Sequence, residues 1–135
     1  MNLSVSFFLV LLMIGWTTDP SSKVKRAELG REFTLKVGEQ VSIREAGLKI
    51  SFSLVKEDSR CPKGVNCIWA GNGKILLKVS KGKGKAATVE LNTGIEPRQH
   101  RFQDYDIKLV SLDPYPEQNV NIERSRYVAT LLVNK

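Results

Sequence analysis

Leu48-Lys49-Ile50-Ser51-Phe52-Ser53-Leu54 alternates apolar and polar side chains without interruption. A strand turns successive side chains to opposite faces. This period of two therefore sets Leu48, Ile50, Phe52 and Leu54 against a core and leaves Lys49, Ser51 and Ser53 in water. The pattern recurs on both sides. Upstream, Phe33, Leu35 and Val37 alternate with Glu32, Thr34 and Lys36, and Val41 and Ile43 alternate with Ser42 and Arg44. Downstream, Ile75, Leu77 and Val79 form a set in which only Leu76 breaks the polar side. Val89 and Leu91 flank Glu90, Tyr105, Ile107 and Leu109 alternate with Asp106 and Lys108, and Tyr127, Ala129, Leu131 and Val133 close the series. Turn residues punctuate these runs around Gly38, Gly47, Gly71 and Gly73, Gly82 and Gly84, and Pro114 and Pro116. No segment beyond residue 30 sustains a helical apolar period. About seven or eight short strands predict an all-β fold, an antiparallel two-sheet β-sandwich of immunoglobulin-like type, with a small closed barrel as the alternative.

The chain of 135 residues has room for one such domain. Hydrophobic residues at 41% and charged residues at 26% give a globular composition, which excludes wholesale disorder and a multi-span membrane protein. The formal charge of +7 favours anionic partners without naming one. Residues 7–14 read FFLVLLMI, an apolar run too short for a bilayer core, which needs about 20 residues. The run fits the hydrophobic region of a signal peptide, although MNLSVS before it carries no Lys or Arg. Asp19-Pro20-Ser21-Ser22 then breaks any regular element. The expected organisation is a signal peptide over 1–22, a linker over 23–30 and the sandwich over 31–135. An uncleaved anchor and a buried N-terminal element are the alternatives. Export to the periplasm, cell surface or medium follows. A lipid anchor is not expected, because no cysteine lies near the run.

Cys61 and Cys67 are the only cysteines. In an exported chain such a pair is most simply a disulfide. The spacing does not fit a C-x-x-C redox pair, and a zinc site would need three or four ligands, with only His100 and scattered carboxylates to supply them.

The string Asp58-Ser59-Arg60-Cys61-Pro62-x-Gly64-Val65-x-Cys67-x-Trp69-Ala70-Gly71 resembles the hallmark of a family of small bacterial secreted proteins and lipoproteins without known activity. The resemblance continues through Tyr105-x-Ile107-x-Leu109, Leu112-x-Pro114-Tyr115-Pro116 and Tyr127-x-Ala129-Thr130-Leu131, and so covers most of residues 33–134. It implies membership and no specific chemistry. The lipid-accepting cysteine of the lipoprotein members is absent here, so their anchoring does not carry over.

Two readings of this segment stand side by side. In the structural one, Cys67 and Trp69 share a strand face, Trp69 covers the disulfide or plugs the sandwich, Asp58 caps the loop, and Arg60 pairs with Asp58 or with loop carbonyls. In the functional one, the closed ring presents Arg60, Lys63, Val65 and Asn66 outward for recognition, since a rigid loop loses less entropy on binding. Elsewhere, Lys81, Lys83 and Lys85 form a basic tip suited to an anionic envelope polymer or lipid head groups, against the plainer reading of a solvated hairpin. His100 is expected on a surface loop. Asp104 and Asp106 are expected to keep one strand face soluble, and Tyr115 to pack over a sheet end or make a contact.

No complete catalytic motif, G-x-S-x-G elbow or cofactor signature is present, and no catalytic residue, metal or cofactor is assigned. The leading expectation is a monomeric, non-catalytic module binding a protein or glycan of the cell envelope, with weak attraction to anionic surfaces. Nucleic acid is not an expected partner, because no aromatic residues interleave the basic stretch. An inhibitor of an extracellular hydrolase, with the closed loop as its wedge, is the first alternative. A metal-binding protein or enzyme centred on His100 is the second.

Overall fold

The structure, a computed structural model, describes residues 24–135; the expected signal peptide over 1–22 lies outside the described residues. Nine strands build the domain: β1 (Lys25–Ala27), β2 (Phe33–Lys36), β3 (Gln40–Ile43), β4 (Leu48–Asp58), β5 (Gly73–Lys81), β6 (Ala87–Asn92), β7 (Gln99–Phe102), β8 (Tyr105–Asp113) and β9 (Val128–Asn134). They form a five-stranded sheet in the order β1-β3-β4-β5-β6 and a four-stranded sheet in the order β2-β9-β8-β7. The fold is an all-β sandwich, antiparallel except where β1 runs parallel to β3. Its likeness to an immunoglobulin domain is one of two-sheet architecture. The strand order is its own: two meanders, β3 to β6 and β7 to β9, with β2 crossing to the second sheet.

All seven alternating runs become strands, and two strands fall outside them. β1 lies in the span expected to be a linker, where Lys-Arg-Ala gives only Ala27 to the core and pairing with β3 supplies the order. β7 places His100 on an exposed edge strand opposite Ile107, where a loop was expected. Its polar sequence suits an edge, where no second strand covers it.

The core joins both sheets. Ile43, Leu48, Ile50, Phe52, Ile75, Leu77, Val79 and Leu91 of the first meet Leu35, Ile107, Leu109, Ala129, Leu131 and Val133 of the second, all at most 1% exposed. Burial of each large side chain is worth roughly 1.5–3 kcal/mol, most of which offsets chain entropy.

Strict alternation fails in β4. A register shift between Phe52 and Leu54 inserts one residue, so Val55 packs on the core in place of Leu54. Leu54 turns outward, 41% exposed, and faces Leu76 across the outer surface, which accounts for the apolar residue among the polar positions of β5. A second shift between Val55 and Glu57 restores the phase and returns Asp58 to the inner face. A further shift between Leu109 and Ser111 in β8 leaves both Val110 and Ser111 off the core and turns Leu112 inward.

Candidate functional site

Asp58 ends β4 and Gly73 starts β5, so the Cys61–Cys67 loop stands at one end of the sandwich beside the β6–β7 loop and the long β8–β9 loop. Leu48 pairs with Lys81 at the other end, about 30 Å away along β4 at ~3.3 Å per residue. The stapled loop and the lysine tip therefore sit at opposite ends, a relation that sequence spacing does not reveal.

The disulfide forms, with Cα atoms 5.9 Å apart. Beneath it, Arg60 is a buried anchor, its side chain 5% exposed. Its Nε donates to Asp58 Oδ1 at 2.8 Å and its Nη2 to Asp58 Oδ2 at 2.7 Å, a bidentate pair. Nη1 donates to the Leu112 carbonyl at 2.6 Å and Nη2 to the Pro114 carbonyl at 3.0 Å. The guanidinium thus ties the loop of the first sheet to the end of β8 in the second. The Tyr127 hydroxyl donates to Asp58 Oδ2 at 2.8 Å, and the Asp58 Oδ1 atom also accepts the Arg60 backbone N–H at 3.3 Å, the expected Asx cap. The pairing of Arg60 with Asp58 and loop carbonyls is the structural reading; an outward-facing Arg60 is corrected, because the side chain is buried and four of its five N–H donors are held by Asp58 and the Leu112 and Pro114 carbonyls.

These contacts set the protonation states. Burial works to raise the Asp58 pKa, but the hydrogen bonds from Arg60 and Tyr127 with the Arg60 charge outweigh it and hold the carboxyl below its ordinary value. For Arg60, burial opposes the charge and Asp58 overcomes that, so its pKa is raised. Burial and donation to Asp58 push Tyr127 up to about 12. The triad is a neutral, locked set at physiological pH.

Backbone contacts complete the anchor. Ser59 N–H donates to the Asn72 carbonyl and Cys61 N–H to the Ala70 carbonyl, both at 2.8 Å, so the two stems of the loop stay paired. Gly71, at φ +75°, runs so close that a Cβ there would overlap the Ser59 carbonyl. Asn72 Nδ2 donates to Asn92 Oδ1 at 2.8 Å, and Asn72 Oδ1 accepts the Gly94 N–H at 3.0 Å, which fixes the β6–β7 loop alongside. Lys63 N–H donates to the Pro116 carbonyl at 3.0 Å, docking the ring against the Asp113–Pro116 segment. That segment leads into the long connection between adjacent β8 and β9, rather than lying at a sheet edge.

Above this base the side chains are free. Trp69 is 58% exposed and Ile68 is fully exposed. The expected strand through Cys67 and Trp69 does not form, since β5 begins only at Gly73, and Trp69 neither plugs the sandwich nor lies buried over the disulfide. The core end is closed instead by the Asp58–Arg60–Tyr127 set. Lys63 and Asn66 are exposed and Val65 is half-buried. Lys63 Nζ lies 3.9 Å from Glu117, an exposed pair of small energetic weight. Tyr115, 40% exposed, lays its ring 5.1 Å from the Arg60 guanidinium carbon, so it both packs and presents a surface. A cleft of about 300 Å³ opens here, lined by Arg60, Gly71, Thr93, Val110, Asp113 and Tyr115 among others. Sequence reasoning missed Thr93, Val110 and Asp113; only the β8 bulge and the loop packing bring them together.

The remaining candidates lie elsewhere. Lys81 is half-buried, with Nζ 5.2 Å from the centre of the Tyr105 ring, so this residue of the lysine tip is turned onto the protein, while Lys83 and Lys85 are exposed. Asp106 on β8 pairs with Arg101 at 3.1 Å, whereas Asp104 stands in the β7–β8 turn rather than on the strand face. Among the described residues no group of three or more His, Cys, Asp or Glu side chains is placed to hold a metal ion. Comparisons of the chain with protein-family models, with curated proteins and with solved structures find no match.

Proposed function

We propose that this chain is an exported, non-catalytic module that binds a protein partner of the cell envelope through Ile68 and Trp69. The observation that carries the reading is the exposure of these two large apolar side chains, Ile68 in full and Trp69 over more than half of its surface, on a loop closed by a disulfide and bolted to both sheets by Arg60. Leaving such surface in water is costly, and a preordered loop gives up little entropy when it docks, the conditions under which aromatic anchors dominate binding. Export rests on the apolar run 7–14 and on a cysteine pair that needs an oxidising compartment. Membership in the family of small secreted proteins marked by residues 58–71 belongs to the same proposal. The test is affinity capture from an envelope extract with the wild-type chain and an Ile68→Ser/Trp69→Ala variant. A partner captured only by the wild type supports the assignment, and equal recovery of every protein by both overturns it.

Inhibition of an extracellular hydrolase is the second reading, favoured by the same exposed apolar pair on a disulfide-closed loop, a crest that would serve as the wedge. Assays against proteases and lysozymes at micromolar chain separate the two: inhibition lost in the Ile68→Ser/Trp69→Ala variant selects this reading, and its absence dismisses it.

A further inference from the structure

We infer that the outer face of the five-stranded sheet, in its half next to the β5–β6 turn, is a binding surface for an acidic polysaccharide. Register aligns two rows of outward positions there. Arg26 of β1 lies beside Ser42 of β3, Lys49 of β4 and Ser80 of β5. Next to it runs Gln40 of β3, Ser51 of β4, Lys78 of β5 and Thr88 of β6. These residues alternate along their strands with the buried Val41, Ile43, Leu48, Ile50, Leu77, Val79 and Val89, which fixes the face they occupy. Lys83 and Lys85 continue the charge beyond the sheet edge.

None of the eight positions carries a carboxylate. Among the described residues, Arg26, Lys49, Lys78, Lys83 and Lys85 take part in no ion pair. The acids nearest in register are engaged: Glu39 accepts from Lys25 Nζ at 2.6 Å, and Glu90 lies 3.4 Å from both Lys56 and Lys74. The face therefore has net positive charge that the protein itself does not neutralise, a direct complement to a polyanion.

The choice among polyanions follows from what lies between the cations. Ser42, Ser51, Ser80, Thr88 and Gln40 offer hydroxyl and amide groups that both donate and accept, which suits the hydroxyls of a sugar chain as well as its acidic groups. A bilayer would need a cluster of apolar anchors at this level, whereas the one large exposed apolar side chain here is Val24, just before β1, and Leu54 sits farther along β4. Single-stranded nucleic acid would need aromatic platforms, and neither row contains one. The rows cross strands spaced ~4.8 Å apart, a continuous track for a linear chain.

The test is binding of the chain to immobilised heparin, with neutral dextran, phosphatidylglycerol vesicles and single-stranded DNA as the other arms. Two variants each remove two positive charges: Lys49→Thr/Lys78→Thr on the face, and Arg124→Thr/Arg126→Thr in the β8–β9 loop at the other end. Threonine keeps strand propensity, and thermal melts verify that both variants fold. The expected result is heparin binding that weakens with salt, no dextran binding, a roughly five- to thirtyfold loss in the face variant, and a change within about twofold in the loop variant. Equal losses in the two variants would show that net charge alone drives binding and would overturn the assignment. So would vesicles or DNA binding more tightly than heparin with the same loss in the face variant, or no heparin binding at low salt.

Discussion

Replacing Arg60 by alanine removes four side-chain hydrogen bonds at once: two to Asp58 and one each to the Leu112 and Pro114 carbonyls. The Asp58 side chain, 9% exposed, then keeps its charge with only the Tyr127 hydroxyl and one backbone N–H for company. Breaking a buried pair by deleting one partner costs about 3–5 kcal/mol, mostly for the charge left behind rather than for the bond lost. That is a large share of the ~5–15 kcal/mol that holds a domain of this kind together. In urea denaturation, with a slope of about 2 kcal/mol/M, the midpoint should fall by roughly 2 M. Arg60→Lys keeps the charge but loses the two-pronged geometry and should fall between the two. The penalty should shrink under acid conditions, where the abandoned Asp58 carboxyl takes up a proton. A double-mutant cycle with Asp58→Ala isolates the coupling, which should reach about 2–3 kcal/mol. A midpoint shift corresponding to less than about 1 kcal/mol, with coupling near zero, would refute the claim that this pair locks the two sheets together.

Four further measurements bear on the same architecture. Cys61→Ser/Cys67→Ser should cost roughly 2 kcal/mol from the entropy of a ring of this size, and alkylation of both thiols in native, unreduced protein would refute the disulfide. Gly71→Ala should destabilise by more than about 2 kcal/mol, because positive φ and overlap with the Ser59 carbonyl act together, whereas Gly82→Ala, with φ +56° and open space, should cost only about 1–2 kcal/mol; equal effects by thermal melting would contradict the close approach. Phe52→Ala should cost about 3–5 kcal/mol and Leu54→Ala well under half of that, and a reversed order in denaturant titrations would deny the bulge. Because Tyr127 titrates higher in the folded chain than in the unfolded one, its contribution is complete below pH 10 and is lost as pH rises toward about 12. Asp58, lowered on folding, contributes above its unfolded pKa and loses that contribution as acid carries the pH through its folded value. Tyr127→Phe should therefore flatten the alkaline limb of a stability–pH curve, and an unchanged limb would count against the Tyr127–Asp58 bond.

The proposed crest and the basic face divide the surface between two kinds of contact. The crest is apolar and preordered at one end of the molecule. The face is polar and nearer the opposite end. A protein partner and an acidic polymer can therefore be engaged together without competing for the same residues.

Periodicity in the chain was sufficient for the all-β class, the seven principal strands and nearly the whole core, because a period of two leaves one face per strand to bury. Leu54 escaped that reading, since a bulge is an insertion relative to a neighbouring strand and a single strand's pattern does not contain it. Local chemistry likewise sufficed for the Cys61–Cys67 ring and for the pairing of Asp58 with Arg60, two residues apart. Only tertiary structure decided which way Arg60 and Trp69 face. The guanidinium is drawn inward by carbonyls of Leu112 and Pro114, more than fifty residues away, and with that end of the core closed Trp69 remains in water. The basic face is of the same kind: Arg26, Lys49 and Lys78 are scattered along the chain, and strand register alone makes them neighbours.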